Sequence, residues 1–250
     1  MARNAMKLKR RSITDVQRLT PSAAVAAQTP DWNVWLRLIE RKRRLMARLW
    51  PFGRPFSLSF FLSMTAVSFR LDGVEVSEAE AAEAVADSPR RNRFRSRLSQ
   101  RMRNHLAILR SIQRLLTAGQ ALTVSTVVRW YTSVSCGLSN SALTGATMDR
   151  ISAVVGRMSS PRLRLQPAVQ EVAHLHAQLM ADPLVPSFNG IMTRLLLCYH
   201  LGRCGLPPVL FDPSVDIQLL ANEAMLLPRL MDLIDASYSL MLTEKLQEAS

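Results

Sequence analysis

Residues 183–209 read PLVPSFNGIMTRLLLCYHLGRCGLPPV. Pro183 and Pro186 hold the first part out of helix, because each ring fixes φ and pushes the preceding residue toward extended backbone. From about Asn189 to Cys204 the pattern is helical and strongly apolar, and it is closed by Gly205 and the Pro207-Pro208 pair. A non-helical turn feeding directly into an apolar helix organises this segment. The rest of the chain must supply elements that bury that helix.

Working toward the N-terminus, Pro167 is well placed in the first turn of a preceding helix, with Val169, Val172, Ala173, His176, Leu179 and Met180 on its inner face. Gly137 to Pro161 is rich in Ser, Gly and Thr and reads as a long loop, with Ile151 to Val155 able to form a short strand. Leu122 to Val134 reads as helix, although its Thr and Val content also suits a strand. Before it, Leu98, Met102, Leu106, Leu109, Ile112 and Leu116 keep three- and four-residue spacing inside a basic stretch, Arg90 to Arg114, so the arginines fall mainly on the opposite face.

Ser77 and Glu80 form a capping-box pair that starts a helix running to Ala86. Phe56 to Arg70 is another helix, stopped at Asp72-Gly73. From Asp31, the residues Trp32, Trp35, Leu36, Ile39 and Leu45 mark a helix whose basic residues Arg41, Lys42, Arg43 and Arg44 wrap its solvent side, with a break near Pro51 and Pro55. Residues 1–30 show no hydrophobic period and read as a flexible basic arm. Beyond the opening segment, Val215 to Gln247 is an amphipathic helix or helix pair, interrupted or kinked at Pro228. The fold class is all-α: an N-terminal helix over 31–54, a helical core over 55–210 with a short flap hairpin or loop, and a C-terminal helical extension over 211–250.

The 250 residues are 48% hydrophobic, enough for one sizeable core. The net charge of +13, carried almost entirely by arginine, points to a polyanion partner, and equally to a solvated surface that tolerates arginine because its stem covers apolar neighbours. Cys136, Cys198 and Cys204 have no pairing or metal-ligand spacing, so a reduced, cytoplasmic setting is expected. MARNAMKLKRR lacks the apolar run of a secretory signal, and the apolar stretch Phe56 to Val67 is too short to span a bilayer, so no membrane association is expected. No metal site is expected.

Taken in order, three segments resemble the Fic (Fido) family. "FNGIMTRLLLCYHLGRCGLPPV", Phe188 to Val209, resembles the family's "GNGRxxRLL" with its apolar helix and "G-x-P-P" at fixed distance. "SFRLDG", Ser68 to Gly73, resembles the end of the inhibitory helix, "S/T-x-x-x-E-G", with Asp72 in place of the usual Glu. "NHLAIL" at Asn104 resembles the family's Asn-led amphipathic helix, and His176 lies where family members often have a histidine. The resemblance covers roughly residues 55–210 and implies a Fic-like helical bundle with nucleotidyl-transfer ancestry.

The family's loop supplies a base, an acid that holds magnesium, amides that cradle phosphates, and two arginines that neutralise them. Here the base position falls at Pro183, the acid at Ser187 and the first arginine at Ile191. Asn189, Gly190 and Arg194 remain as candidate phosphate- or nucleotide-binding residues, and Ser68, Asp72 and Gly73 as the inhibitory-helix residues. An alternative role for Asn189 is to cap the helix, and for Arg194 to pair with Asp72. Asp182 is the weak candidate for a displaced catalytic group, with His174 and His176 upstream of it.

The expected function is therefore a Fic-fold binding or regulatory module without nucleotidyl-transferase activity, able at most to hold a nucleotide such as ATP without a conventional magnesium ligand. The alternatives are an active AMP or phosphate-moiety transferase acting on protein hydroxyls, and a nucleic-acid-associated factor. The expected partners are another protein, or nucleic acid through Lys7 to Arg11, Arg41 to Arg44 and Arg90 to Arg114.

Overall fold

A computed structural model describes residues 31–49, 56–86, 97–136, 143–159, 164–212 and 220–248. Several segments read from the sequence lie outside the described residues: the arm at 1–30, the break at 50–55, the start of the basic stretch at 90–96, and 213–219. The described residues form nine helices and no strand. They are α1 (Trp32–Leu49), α2 (Leu58–Leu71), α3 (Glu78–Ala86), α4 (Arg97–Thr117), α5 (Val124–Ser135), α6 (Gly145–Met158), α7 (Leu165–Ala181), α8 (Asn189–Arg203) and α9 (Glu223–Glu248).

Local chemistry accounts for many of the ends. Ser57, Thr123 and Thr144 each accept a hydrogen bond from the amide three residues on, at the starts of α2, α5 and α6. At the start of α3 the Ser77 hydroxyl accepts from Glu80 N at 3.1 Å while Glu80 accepts from Ser77 N at 2.7 Å, which closes the capping box. The end of α2 is a Schellman turn, with Gly73 at φ +78°, Gly73 N bonded to Arg70 O at 2.9 Å and Val74 N to Phe69 O at 3.0 Å.

The strand expected at Ile151 to Val155 is not what forms, and within the loop read over Gly137 to Pro161 residues 145–158 are the helix α6. Ile151, Val154, Val155 and Met158 are buried along one face, so packing of a 3.6-residue stripe outweighs the preference of the β-branched residues for strand. Pro228 does not break the final helix. It lies inside α9, where its missing N–H leaves one helical backbone bond unmade.

The centre of the molecule is α8. Every residue from Ile191 to Leu201 is buried, polar ones included, as expected of a helix surrounded on all sides. On one side Ile191, Met192, Leu195 and Tyr199 join a core built from α2 to α6, including Phe60, Phe69, Leu106, Ile112 and Trp130. On the other, Leu197 and Leu201 join a second core with Trp35 and Ile39 of α1, Val169 and Val172 of α7, and Leu230 and Ile234 of α9. Each of these side chains contributes about 1.5–3 kcal/mol on burial. Gly202 carries no side chain because Leu116 of α4 fills the space a Cβ would need.

Candidate functional site

Arg194 sits one turn into α8 and is almost wholly buried, its side chain 7% exposed. Its Nε donates to Ser68 Oγ at 2.9 Å and its Nη2 to Ser68 O at 2.6 Å; Nη2 also pairs with the Asp72 carboxylate. The Schellman end of α2 explains the second bond. Asp72 N turns to Phe69 O, leaving Ser68 O, a carbonyl of the last turn, open to an outside donor. Gly190 completes the arrangement: a Cβ there would collide with Asp72 Oδ1 and come within 3.0 Å of Arg194 Nη1. The structure thus brings together Ser68, Asp72, Gly190 and Arg194, which the sequence separates by more than a hundred residues.

Asp72 therefore places a carboxylate beside the first turn of α8, the end of a helix that favours negative charge. Arg194 Nη1 is buried and makes no hydrogen bond among the described residues. Burial lowers the guanidinium's pKa, and Asp72 opposes that shift. The space left between Ser68, His105, Arg194 and Phe211 is only about 20 Å³, room for one water and not for a phosphate group.

Asn189 does not cap α8. Phe188, at φ +57°, precedes the helix without a side-chain cap, and the Asn189 side chain instead folds the preceding loop. Its Oδ1 accepts from Leu184 N at 2.8 Å and Val185 N at 3.4 Å, and its Nδ2 donates to Leu179 O at 2.7 Å. An asparagine that satisfies two loop amides and a carbonyl in the last turn of α7 at once is worth more there than as a cap bonding one amide. Three neighbouring helices hold the loop from outside. Tyr131 OH lies 3.1 Å from Ser187 Oγ, Arg101 stacks 4.5 Å from the Phe188 ring centroid, and Arg150 binds both the Asp182 carbonyl at 2.9 Å and its carboxylate at 2.7 Å.

Asp182 is therefore an exposed helix-end residue held by Arg150. His174 is exposed and lies 2.7 Å from Glu223. His176 is buried against Phe211, with ring centroids 5.9 Å apart, and neither ring nitrogen has a partner among the described residues. Burial above all, then the Arg194 charge, pushes its pKa down to about 3, with the Thr193 backbone opposing. His105, not singled out for this site from sequence, lies in the same neighbourhood. It shares a hydrogen bond of 3.0 Å with Thr65, and burial and Arg194 again push it down to about 3. Neither histidine is a base poised near neutral pH.

Asn104 bonds Ser133 O at 2.6 Å and so ties α4 to the end of α5. Among the described residues no group of three His, Cys, Asp or Glu side chains is arranged to hold a metal ion. No described helix is long and apolar enough to cross a membrane. At the start of α8 the Asp72 carboxylate lies against Gly190 and Arg194, where it would repel a magnesium-bound triphosphate, and the Ser187 hydroxyl, at the acid's place by resemblance, lies 3.1 Å from Tyr131 OH.

No family model matches the chain, and no curated protein matches its sequence. Solved structures do match. A fragment of Fic-1 from C. elegans superposes with a TM-score of 0.63 over 84% of this chain and 71% of that one, at 16% sequence identity. A single-substitution variant of the same fragment gives a TM-score of 0.63 over 84% and 72%, at 15% identity. The chain has a Fic-like, all-helical fold.

Proposed function

We propose that this is a Fic-fold protein without nucleotidyl-transferase activity, which works as a binding or regulatory module on another protein. The observation that carries the reading is the closed pocket at the start of α8, where the Asp72 carboxylate lies against Gly190 and Arg194 and takes the place an anionic group would need. Resemblance assigns the base, metal acid and first arginine to Pro183, Ser187 and Ile191: proline and isoleucine cannot do that work, and a neutral serine hydroxyl lacks the charge of the acid it replaces. Pro183 has no proton acceptor on its side chain, and Ile191 is part of the core.

Asn189, Gly190 and Arg194 then serve as scaffold, with ATP binding weak and limited by Asp72. The test is incubation of the protein with each nucleoside triphosphate, magnesium or manganese, and cell lysate, followed by intact-mass and peptide analysis. No protein should gain mass, and Asp72→Ala should increase nucleotide binding without creating an adduct. A reproducible adduct that disappears in Asp182→Ala would overturn the proposal in favour of a transferase with a displaced base.

A further inference from the structure

Helix α1 has two apolar stripes, and only one of them is used inside the molecule. Trp35 and Ile39 face the second core, and Trp35 Nε1 donates to Met231 O at 3.1 Å. Val34, Leu38 and Leu45, spaced by four and seven residues, form a line on the outside and are 53%, 40% and 44% exposed. They are three of the five large apolar side chains that are exposed among the described residues, so outward hydrophobicity is concentrated on this helix.

Arginines edge the stripe. Arg37 and Arg41 make no ion pair or hydrogen bond among the described residues, and Arg44 shares Glu40 with Arg43 at 3.3 and 3.5 Å. Beside the stripe an open groove of about 730 Å³ runs between α1 and the start of α7, with Leu36, Leu45 and Leu165 as its apolar lining and Arg37, Arg41 and Arg44 around it, against one carboxylate, Glu40, that is already paired with Arg44. A groove with an apolar floor and cationic edges matches a helix that carries apolar residues at i, i+4 and i+7 and carboxylates on either side.

We infer that this face of α1 docks an acidic amphipathic helix of a partner protein. Charge decides among the occupants. A second copy of the chain using the same face would set Arg37, Arg41 and Arg44 against themselves. The chain's own residues 1–30 carry six basic side chains and one acid, the wrong sign for this surface. The exposed stripe is aliphatic, which gives nucleic-acid bases nothing to stack on, and a concave groove is filled by a helix better than by a flat bilayer. The inference shares with the proposed function only the existence of a protein partner. An adduct in the transfer assay would sink that function and leave this surface untouched.

The experiment uses the full chain and a fluorescein-labelled helical peptide about five turns long, with leucine at i, i+4, i+7 and i+11 and glutamate on both flanks. Fluorescence anisotropy should show saturable one-site binding in about 50 mM salt that weakens at least about fivefold in about 300 mM salt. Leu38→Asp and Arg41→Glu should each weaken it about tenfold, and Arg110→Glu on α4 should not change it. Leu38 and Arg41 are solvent-exposed, and unchanged thermal melts will show that these variants fold.

No saturation up to about 1 mM peptide would refute the inference. So would equal affinity for the peptide with lysine in place of glutamate, or insensitivity to both substitutions. Binding to phosphatidylserine vesicles that Leu38→Asp abolishes, with none to the peptide, would make the occupant a membrane and overturn the assignment. A concentration-dependent dimer lost in Leu38→Asp would make it a second copy and overturn it likewise.

Discussion

Breaking the contact between Asp72 and Arg194 should cost more stability one partner at a time than both together. Arg194→Met removes donors from Ser68 Oγ, Ser68 O and Asp72. The stranded Ser68 carbonyl costs about 1–3 kcal/mol, while Asp72, one-fifth exposed, can turn to water and the methionine fills most of the vacated volume. The net loss should be about 2–3 kcal/mol. Asp72→Ala leaves a buried guanidinium without its counter-charge and should cost about 3 kcal/mol.

The double variant should be no worse than about 3 kcal/mol, because the second change removes the charge that the first one strands. That amounts to a coupling of about 2 kcal/mol. Urea unfolding followed by circular dichroism measures all four corners of the cycle, and each single variant should melt roughly 4–12 °C below the parent. A coupling below about 0.5 kcal/mol would mean that the two side chains do not depend on each other. The closed-pocket account of α8 would then fail.

Gly190→Ala should destabilise the parent by about 1–2 kcal/mol, since the new Cβ meets the Asp72 carboxylate, yet it should be neutral or stabilising in Asp72→Ala, where the end of the Arg194 side chain, 3.0 Å from the new Cβ, can shift aside and the better helix propensity of alanine prevails. Melting temperatures of the four proteins show whether the sign reverses. Asn189→Ala should cost about 2–3 kcal/mol and speed amide exchange at Leu184 and Val185, whose N–H groups lose their acceptor. Stability should fall on acidification. His105 and His176 have folded pKa values near 3 against an ordinary value of 6.5, so the unfolded chain binds more protons between those limits; their contribution is complete above about pH 6.5 and is lost toward pH 3. Each adds a slope of up to about 1.4 kcal/mol per pH unit. His176→Leu should remove one such slope in a pH series of urea unfolding curves.

Most of the helices, and the turn before α8, were legible in the sequence because their causes are local. Gly73 at positive φ, the Ser77 and Glu80 box, and the proline pair before α8 each act within a few residues of themselves. Chain periodicity located α4, α7 and α8 for the same reason. The short helix α6 was not legible. Its Ile and Val residues suit a strand equally well until a buried face selects the helical spacing.

The site divides in the same way. Pro183, Ser187 and Ile191 already speak against transfer chemistry from sequence and resemblance, since a side chain's functional groups are fixed by its identity. Tertiary structure alone decided that Asn189 folds a loop and does not cap a helix, that Ser68 offers Arg194 both a hydroxyl and a carbonyl, and that His105 shares this interior. Those contacts join residues up to 126 positions apart. No local propensity reports on them, because they arise only once α8 is surrounded and its polar groups must find partners inside the protein.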